Sequence, residues 1–402
     1  MSRTPVSEQG VEANYYPLSG ITVLDLSRLL PGPYCSLILA DCGAEVIKIE
    51  DPASGDYLRW IPPLLREESA YFLLLNRNKK SVTLNLKSQE GRAIFLELVR
   101  QADVLLESFR PGVMNRLGLA YETLQAINPG LVYCSLTGYG QTGPYRERAG
   151  HDINYIALGG VLGLTGPQDS PPIIPGTQVA DLSGGLWAAL GILLALAARQ
   201  RTGQGQYVDI AMLDGVVALL PIPAAEYFTW GESPHRGATL LTGGQACYHV
   251  YETKDGRYMA LGALEPKFWA GFCTAVGRED LIIRQFDSDQ EELIAEVQAI
   301  FRRHTRDEWV AFFADKDVCC EPVNDLEEVF AHPQVAARGM LTQVEHPVEG
   351  TVKLLHLPVR LSDMPRVIRS PAPRRGEHTE EILQRLGYDA AAIERLREQG
   401  VI

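Results

Sequence analysis

The chain has 402 residues, 46% apolar and 22% charged, enough for a large core and more than one domain. A net charge of −13 with no long basic block argues against nucleic acid or an anionic membrane as partner, although a local basic patch can still hold an anionic ligand. Seven scattered cysteines without a C-x-x-C spacing exclude a disulfide framework and a thiolate metal site, and point to a reducing, cytoplasmic setting.

The opening MSRTPVSEQG has no apolar leader core. ITVLDLS (21–27) then reads as a buried strand, GPYCSLILADCG as a helix stopping at Gly43, and EVIKIE (45–50) as a second strand. This β-α-β rhythm predicts a parallel sheet covered by helices. It continues through SVTLNL (strand), SQEGRAIFLELVRQ (helix), DVLLES (strand) and LVYCSLT (strand), with Gly and Pro at the joins. LWAALGILLALAA (186–198) is too short to span a bilayer and reads as a core helix with a basic last turn. Residues 221–244, rich in Pro, Gly and Thr, read as a linker. CYHVYETKDGRYMALGAL predicts a hairpin about Asp255-Gly256, followed by three helices. VKLLHLPVRLS and RGEHTEEILQRLG supply a last strand and helix. The expected division is a large α/β domain over 1–220, a smaller α/β domain over 225–330 and a C-terminal segment over 340–402.

Several stretches are candidates for chemistry. GYGQTG (138–143) matches a dinucleotide fingerprint, but Pro144 blocks the helix such a site needs and no acidic residue lies near position 158, so it reads as a loop. His151 and Asp152 are the only charged groups between Ala149 and Asp169, and imidazole is the side chain best suited to proton transfer near neutrality. Asp181 is the only acid between Asp169 and Asp209 and precedes Ser-Gly-Gly and the apolar helix. It reads as a helix N-cap, with the free N–H groups beside it available to a substrate anion. Glu265, just before Pro266, reads as helix-start chemistry. The basic groups of NRNKKS (76–81) and ESFRPG (107–112), with Arg116, sit near strand ends, where an α/β sheet would receive a phosphate-bearing ligand. No clustered histidines, H-E-x-x-H, P-loop or G-x-S-x-G occurs.

Taken together, ITVLDLSRLLPGPYCSLILADCGAEVIKIEDPASGD, LNRNKKSVTLNLKSQEGRAIFLELVRQADVLLESFRPGVMNRLGL, LVYCSLTGYGQTGP, GTQVADLSGGLWAALGILLAL, TGQGQYVDIAML and GEHTEEILQRLG resemble the family III CoA-transferases, the CaiB/BaiF group, over nearly the whole chain. The resemblance implies a Rossmann-like large domain completed by the C-terminal segment, a small domain, and two chains interlocked as rings in a homodimer. It implies an acyl-CoA thioester as substrate and no permanently bound cofactor or metal. In its transferase members the carboxylate matching Asp181 attacks the thioester and passes CoA to a second carboxylic acid. In its racemase branch, which carries GHDINY as Gly150–Tyr155 does here, the aspartate and His151 exchange the proton α to the thioester, with Glu265 nearby. The catalytic set expected from that branch is thus His151, Asp181 and Glu265, with Asp152 supporting. Racemisation of a 2-methylacyl-CoA is the first reading, CoA transfer the second and a non-catalytic partner subunit the third. The matching CoA contacts are Leu84, Asn85, Leu86, Lys87, Ser108, Phe109, Arg110, Arg116, Gly150, Asp152, Ile153, Asn154 and Tyr155. Asp51 stands where the branch often has a basic residue, leaving Arg77 or Lys79 to substitute.

Overall fold

The computed structural model describes residues 16–402, so the stretch read above for a leader lies outside it. Six strands form one sheet: β1 (Thr22–Asp25), β2 (Glu45–Glu50), β3 (Lys79–Thr83), β4 (Val104–Glu107), β5 (Val132–Thr137) and β6 (Tyr207–Ala211). Their order is β3-β2-β1-β4-β5-β6 and every neighbouring pair is parallel. The interior strands β1, β2, β4 and β5 are buried almost throughout, which is why they read as apolar runs rather than alternating ones. β3 sits two residues earlier than the apolar pattern predicts, because the buried Lys79 and Ser81 are satisfied by polar partners within the fold.

The helices follow local signals. Pro31 opens the helix Pro31–Asp41 at its first position, and Gly43 ends it at φ 105°, where a Cβ would strike Tyr16. Ser88 caps Gln89–Gln101 by accepting from Gly91 N at 2.9 Å. The apolar run predicted over 186–198 extends to a 24-residue helix, Val179–Thr202. Among the described residues it alone is long and apolar enough to cross a membrane, yet half of its apolar window is buried. It packs on Pro31–Asp41, β5 and β6. Gly185 makes that approach possible, since a Cβ there would lie 2.7 Å from the Pro31 carbonyl oxygen. Its other face leaves Leu186, Leu190, Leu193 and Leu194 exposed.

The chain divides into two compact units. The first comprises the residues up to Tyr155, Val179–Gly215 and Ala336–Ile402; the second comprises Ile156–Gln178 and Val216–Val335. The segment Ile156–Gln178 thus belongs with the second unit, although it lies in the middle of the stretch expected to be one large domain. In the first unit the C-terminal segment runs along the edge strand β3. Asn78 N donates to Ser370 O at 3.1 Å, His378 N to Ser81 O at 2.9 Å and Asn85 N to Val401 O at 2.7 Å. The predicted last strand is shorter than VKLLHLPVRLS: only β11 (Gly350–Leu355) forms, paired antiparallel with β10 (Leu341–His346).

A buried charge network joins β2 to the segment that follows it. Arg59 donates from Nε and Nη2 to both oxygens of Glu50, at 2.8 and 2.7 Å, and from Nη1 to Glu68 at 2.6 Å. Lys48 pairs with Asp56 at 2.8 Å. Paired charges of this kind survive burial only because nearly every lone pair and proton has a partner.

The second unit is built on the predicted hairpin. β7 (Tyr248–Glu252) and β8 (Tyr258–Gly262) turn at Gly256, φ 73°, and β9 (Cys320–Pro322) adds a third antiparallel strand. Trp269, Phe272, Phe301, Trp309 and Phe313 stack into its core. The predicted linker over 221–244 begins instead as a helix, Pro221–Trp230: Pro221 starts it and Gly231, in the left-handed region, ends it.

Candidate active site

In an open parallel sheet, ligands bind beyond the C-terminal strand ends where the strand order reverses. Here that point lies between β1 and β4. The segments leaving these strands are joined there, Leu26 N donating to Leu106 O at 2.8 Å and Arg28 N to Ser108 Oγ at 3.3 Å. A cleft of about 740 Å³ opens at this place. Arg28, Leu29, Ser108, Phe109 and Arg110 line it from the two reversing strands, and Gly138 and Tyr139 from the end of β5. Arg116, Gly150, His151, Asn154, Tyr155 and Asp181 complete the predicted residues in its wall. A hollow of about 130 Å³, sharing Arg28, Phe109 and Val113 with the cleft, holds Leu84, Asn85, Leu86, Lys87 and Asp51.

GYGQTG is the loop expected, and its first glycine has a job unrelated to phosphates. A Cβ on Gly138 would lie 2.4 Å from the Tyr155 hydroxyl. Tyr155 fits between Gly138 and Gly150, donating to Gly150 O at 2.7 Å, with Tyr139 packed on it edge-on at 5.1 Å. This packing fixes the strand-to-helix segment that carries His151. His151 N in turn donates to Asn154 Oδ1 at 3.0 Å, closing the first turn of Asp152–Leu158.

Asp181 is not the helix cap that its sequence context suggests. It is the third residue of Val179–Thr202, and the cap comes from Asp152, whose Oδ1 accepts from Ala180 N at 2.6 Å and Asp181 N at 3.1 Å. The amides predicted to be free for a substrate anion are therefore occupied. The arrangement locks the His151-Asp152 step to the start of the Asp181 helix. No described residue hydrogen-bonds the Asp181 carboxylate. Burial, helped by the Asp152 charge and opposed by His151, pushes it up to about 6. Asp152 and Ile153 do not line the cleft; Asp152 is turned into the helix start and Ile153 is exposed.

Neither candidate for the basic residue missing at Asp51 reaches the ligand side. Arg77 is 2% exposed and paired with Asp41 at 2.5 Å. Lys79 is buried, donating to Pro33 O, Ser36 Oγ and Asn76 Oδ1. Asp51 folds its own loop, accepting from Ala53 N and Ser54 N at 3.0 Å. The cations at this end are the predicted Lys87 and Arg28, the latter absent from the sequence prediction. Arg28 donates to Tyr57 Oη at 3.2 Å and lies over the Tyr57 and Phe109 rings at 5.1 and 5.2 Å. Its position one turn after β1 was the available signal. Leu29 beside it holds φ 64°, a strained conformation for a non-glycine residue on a cleft wall. Glu107 was also missed as an ionisable group. Its carboxylate accepts from Ser135 Oγ and from Phe109 N, and burial pushes it up to about 7. Glu265 lies in the second unit, at the N-cap of Pro266–Ala275, with no side-chain cap bond.

The match to the family model for CoA-transferase family III spans residues 18–379. The chain is 38% identical to the succinyl-CoA:glutarate CoA-transferase of Mus musculus, over 96% of this chain and 90% of that protein. It is also 38% identical to the alpha-methylacyl-CoA racemase of Homo sapiens, over 96% of this chain and 97% of that one. The crystal structure of a CAIB/BAIF family protein from Brucella suis superposes with a TM-score of 0.82 at 36% identity, covering 93% of this chain and all of the other. A parallel sheet with a ligand cleft at its reversal point, matched over almost its full length in sequence and in structure, leaves one assignment: the chain belongs to CoA-transferase family III.

Proposed function

We propose that this protein moves CoA between carboxylic acids, with Asp181 as the nucleophile. The observation that carries this reading is a half-buried carboxylate, mostly ionised at pH 7 and free of hydrogen bonds from the described residues, in the wall of a cleft that arginines also line. An Asp181 oxygen attacks the thioester carbonyl carbon; the C–S bond breaks and CoA leaves as thiolate. The thiolate attacks the Asp181 carbonyl carbon of the resulting anhydride, releasing the donor acid as carboxylate. The acceptor carboxylate attacks the aspartyl-CoA thioester, and the returning thiolate converts the new anhydride to product thioester. No proton is gained or lost and no resident cofactor takes part. Leu84–Lys87, Ser108–Arg110 and Arg116 are assigned to CoA, with Arg28 for its phosphates.

Exchange of the α-proton of a 2-methylacyl-CoA, the first reading of the sequence, becomes the second reading here. It is favoured by His151 and Asp181 lining one cleft. It ranks lower because His151 is exposed and no hydrogen bond orients its ring among the described residues, whereas racemisation needs an acid and a base fixed on opposite faces of one carbon. The same reading takes the working molecule as a homodimer, supported by the exposed leucine stripe of Val179–Thr202, and the setting as cytoplasmic, supported by free thiols.

The test incubates the protein with a single-enantiomer 2-methylacyl-CoA in D2O, then with an acyl-CoA plus an added acid. CoA passing to the acid, with a hydroxylamine-sensitive adduct on Asp181, is the expected result. Deuterium uptake with loss of chirality, abolished in His151→Ala, would replace this reading by the second.

A further inference from the structure

The buried or half-buried arginines Arg59, Arg77 and Arg199 are committed to carboxylates, on Glu50, Asp41 and Asp103. The cleft is different. Among the described residues Arg28, Arg110, Arg116 and Arg148 line it without a carboxylate partner, and Asp181 is the only acidic side chain in its wall. In a chain of net charge −13, four uncompensated guanidiniums in one cleft mark a site for several negative charges. Arg28, Arg110 and Arg116 come from the segments around the ends of β1 and β4, on the CoA side. Arg148 comes from the loop that follows β5, three residues before His151.

Arg148 is also held in place. Its guanidinium lies 3.6 Å from the centre of the Tyr145 ring. Tyr145 meets Tyr139 edge-on at 5.7 Å, Tyr139 meets Tyr155 at 5.1 Å, and Tyr155 donates to Gly150 O at 2.7 Å. A continuous aromatic ladder thus ties Arg148 to the segment carrying His151. The neighbouring Arg146 also lines the cleft but is paired with Glu147 at 2.9 Å.

Resting on the acyl-CoA reading above, we propose that Arg148 binds a second carboxylate on the acyl group, so that the substrates are dicarboxylic acids and their monothioesters. Guanidinium offers such a carboxylate a two-pronged charge-assisted bond that a methyl-ended acyl chain cannot make.

The experiment measures equilibrium binding of succinyl-CoA and of butyryl-CoA, which share a four-carbon chain, to Asp181→Asn protein and to the same protein carrying Arg148→Gln or Arg148→Lys. With Arg148 present succinyl-CoA binds about 10- to 100-fold more tightly, Arg148→Gln removes the preference by weakening succinyl-CoA alone, and Arg148→Lys restores part of it. Equal loss for both thioesters would place Arg148 on CoA itself, and no loss for either would make it a solvated loop residue; each outcome overturns the proposal. A binding preference without any CoA transfer by the native protein would sink the transferase reading and leave this one standing.

Discussion

Asp181 should make the native fold weaker at the pH where the enzyme works. The perturbation is Asp181→Asn, which keeps the shape and removes the charge. In the unfolded chain the carboxyl titrates near 3.8; in the fold it titrates near 6. Between these values the native state holds a proton that the unfolded state has released, so stability falls as pH rises across the window and stays lower above it. The separation corresponds to about 3 kcal/mol at full burial. Asp181 is only partly buried, and solvent screening brings the expected cost to about 1–2 kcal/mol. The assay is thermal unfolding of native and variant proteins from pH 4 to pH 8. The variant should melt about 1–2 °C higher at pH 8, with the gap closing toward pH 4. A variant that melts at or below the native temperature at pH 8, or a gap that does not change with pH, would refute the claim that Asp181 is held ionised against its surroundings.

Two further outcomes follow from neighbouring groups. In the native protein kcat/KM should rise with pH through about 6; Asp152→Asn should move the midpoint toward 3.8 without reaching it, because burial is the leading cause of the displacement and the Asp152 charge the lesser one. A midpoint unmoved in Asp152→Asn would remove that charge from the account. Glu50 is held at about 2, against burial, by the Arg59 hydrogen bonds and charge and by Lys48. Its contribution to stability is complete above 4.5 and lost as pH falls toward 2, and Glu50→Gln at pH 7 should cost about 3–5 kcal/mol by leaving Arg59 buried without the carboxylate that takes two of its hydrogen bonds, read from denaturant midpoints.

The sheet was legible because parallel strands buried on both sides leave unbroken apolar runs, as in VLLE and VYCSLT, and because the helices between them carry their own caps and stops. β3 was misplaced where that logic fails: Lys79 and Ser81 are strand residues satisfied by groups far away in the chain, which no local pattern records. Asp181 and His151 stood out as lone ionisable groups in apolar stretches. That Asp152 rather than Asp181 caps the helix could not be read, since the bond joins residues 28 apart. Arg28, Arg110 and Arg148 look alike as letters; only the cleft and the absence of partners separate them from arginines committed to ion pairs. The helix Pro221–Trp230 was hidden by its composition, with two prolines that are harmless at a first turn and would be disruptive anywhere later.

The C-terminal segment lying along β3 has a consequence for synthesis. The contact of Ser81 with His378 spans 297 residues, and Asn85 meets Val401. At ordinary elongation rates these partners emerge about 15–60 s apart. Throughout that interval the second unit, whose main stretch is continuous in sequence, has time to form while the edge of β3 stays uncovered, a template for pairing with other nascent chains. The unit that begins first is finished last, and its vulnerable period in the cell is set by the ribosome rather than by the speed of its own folding.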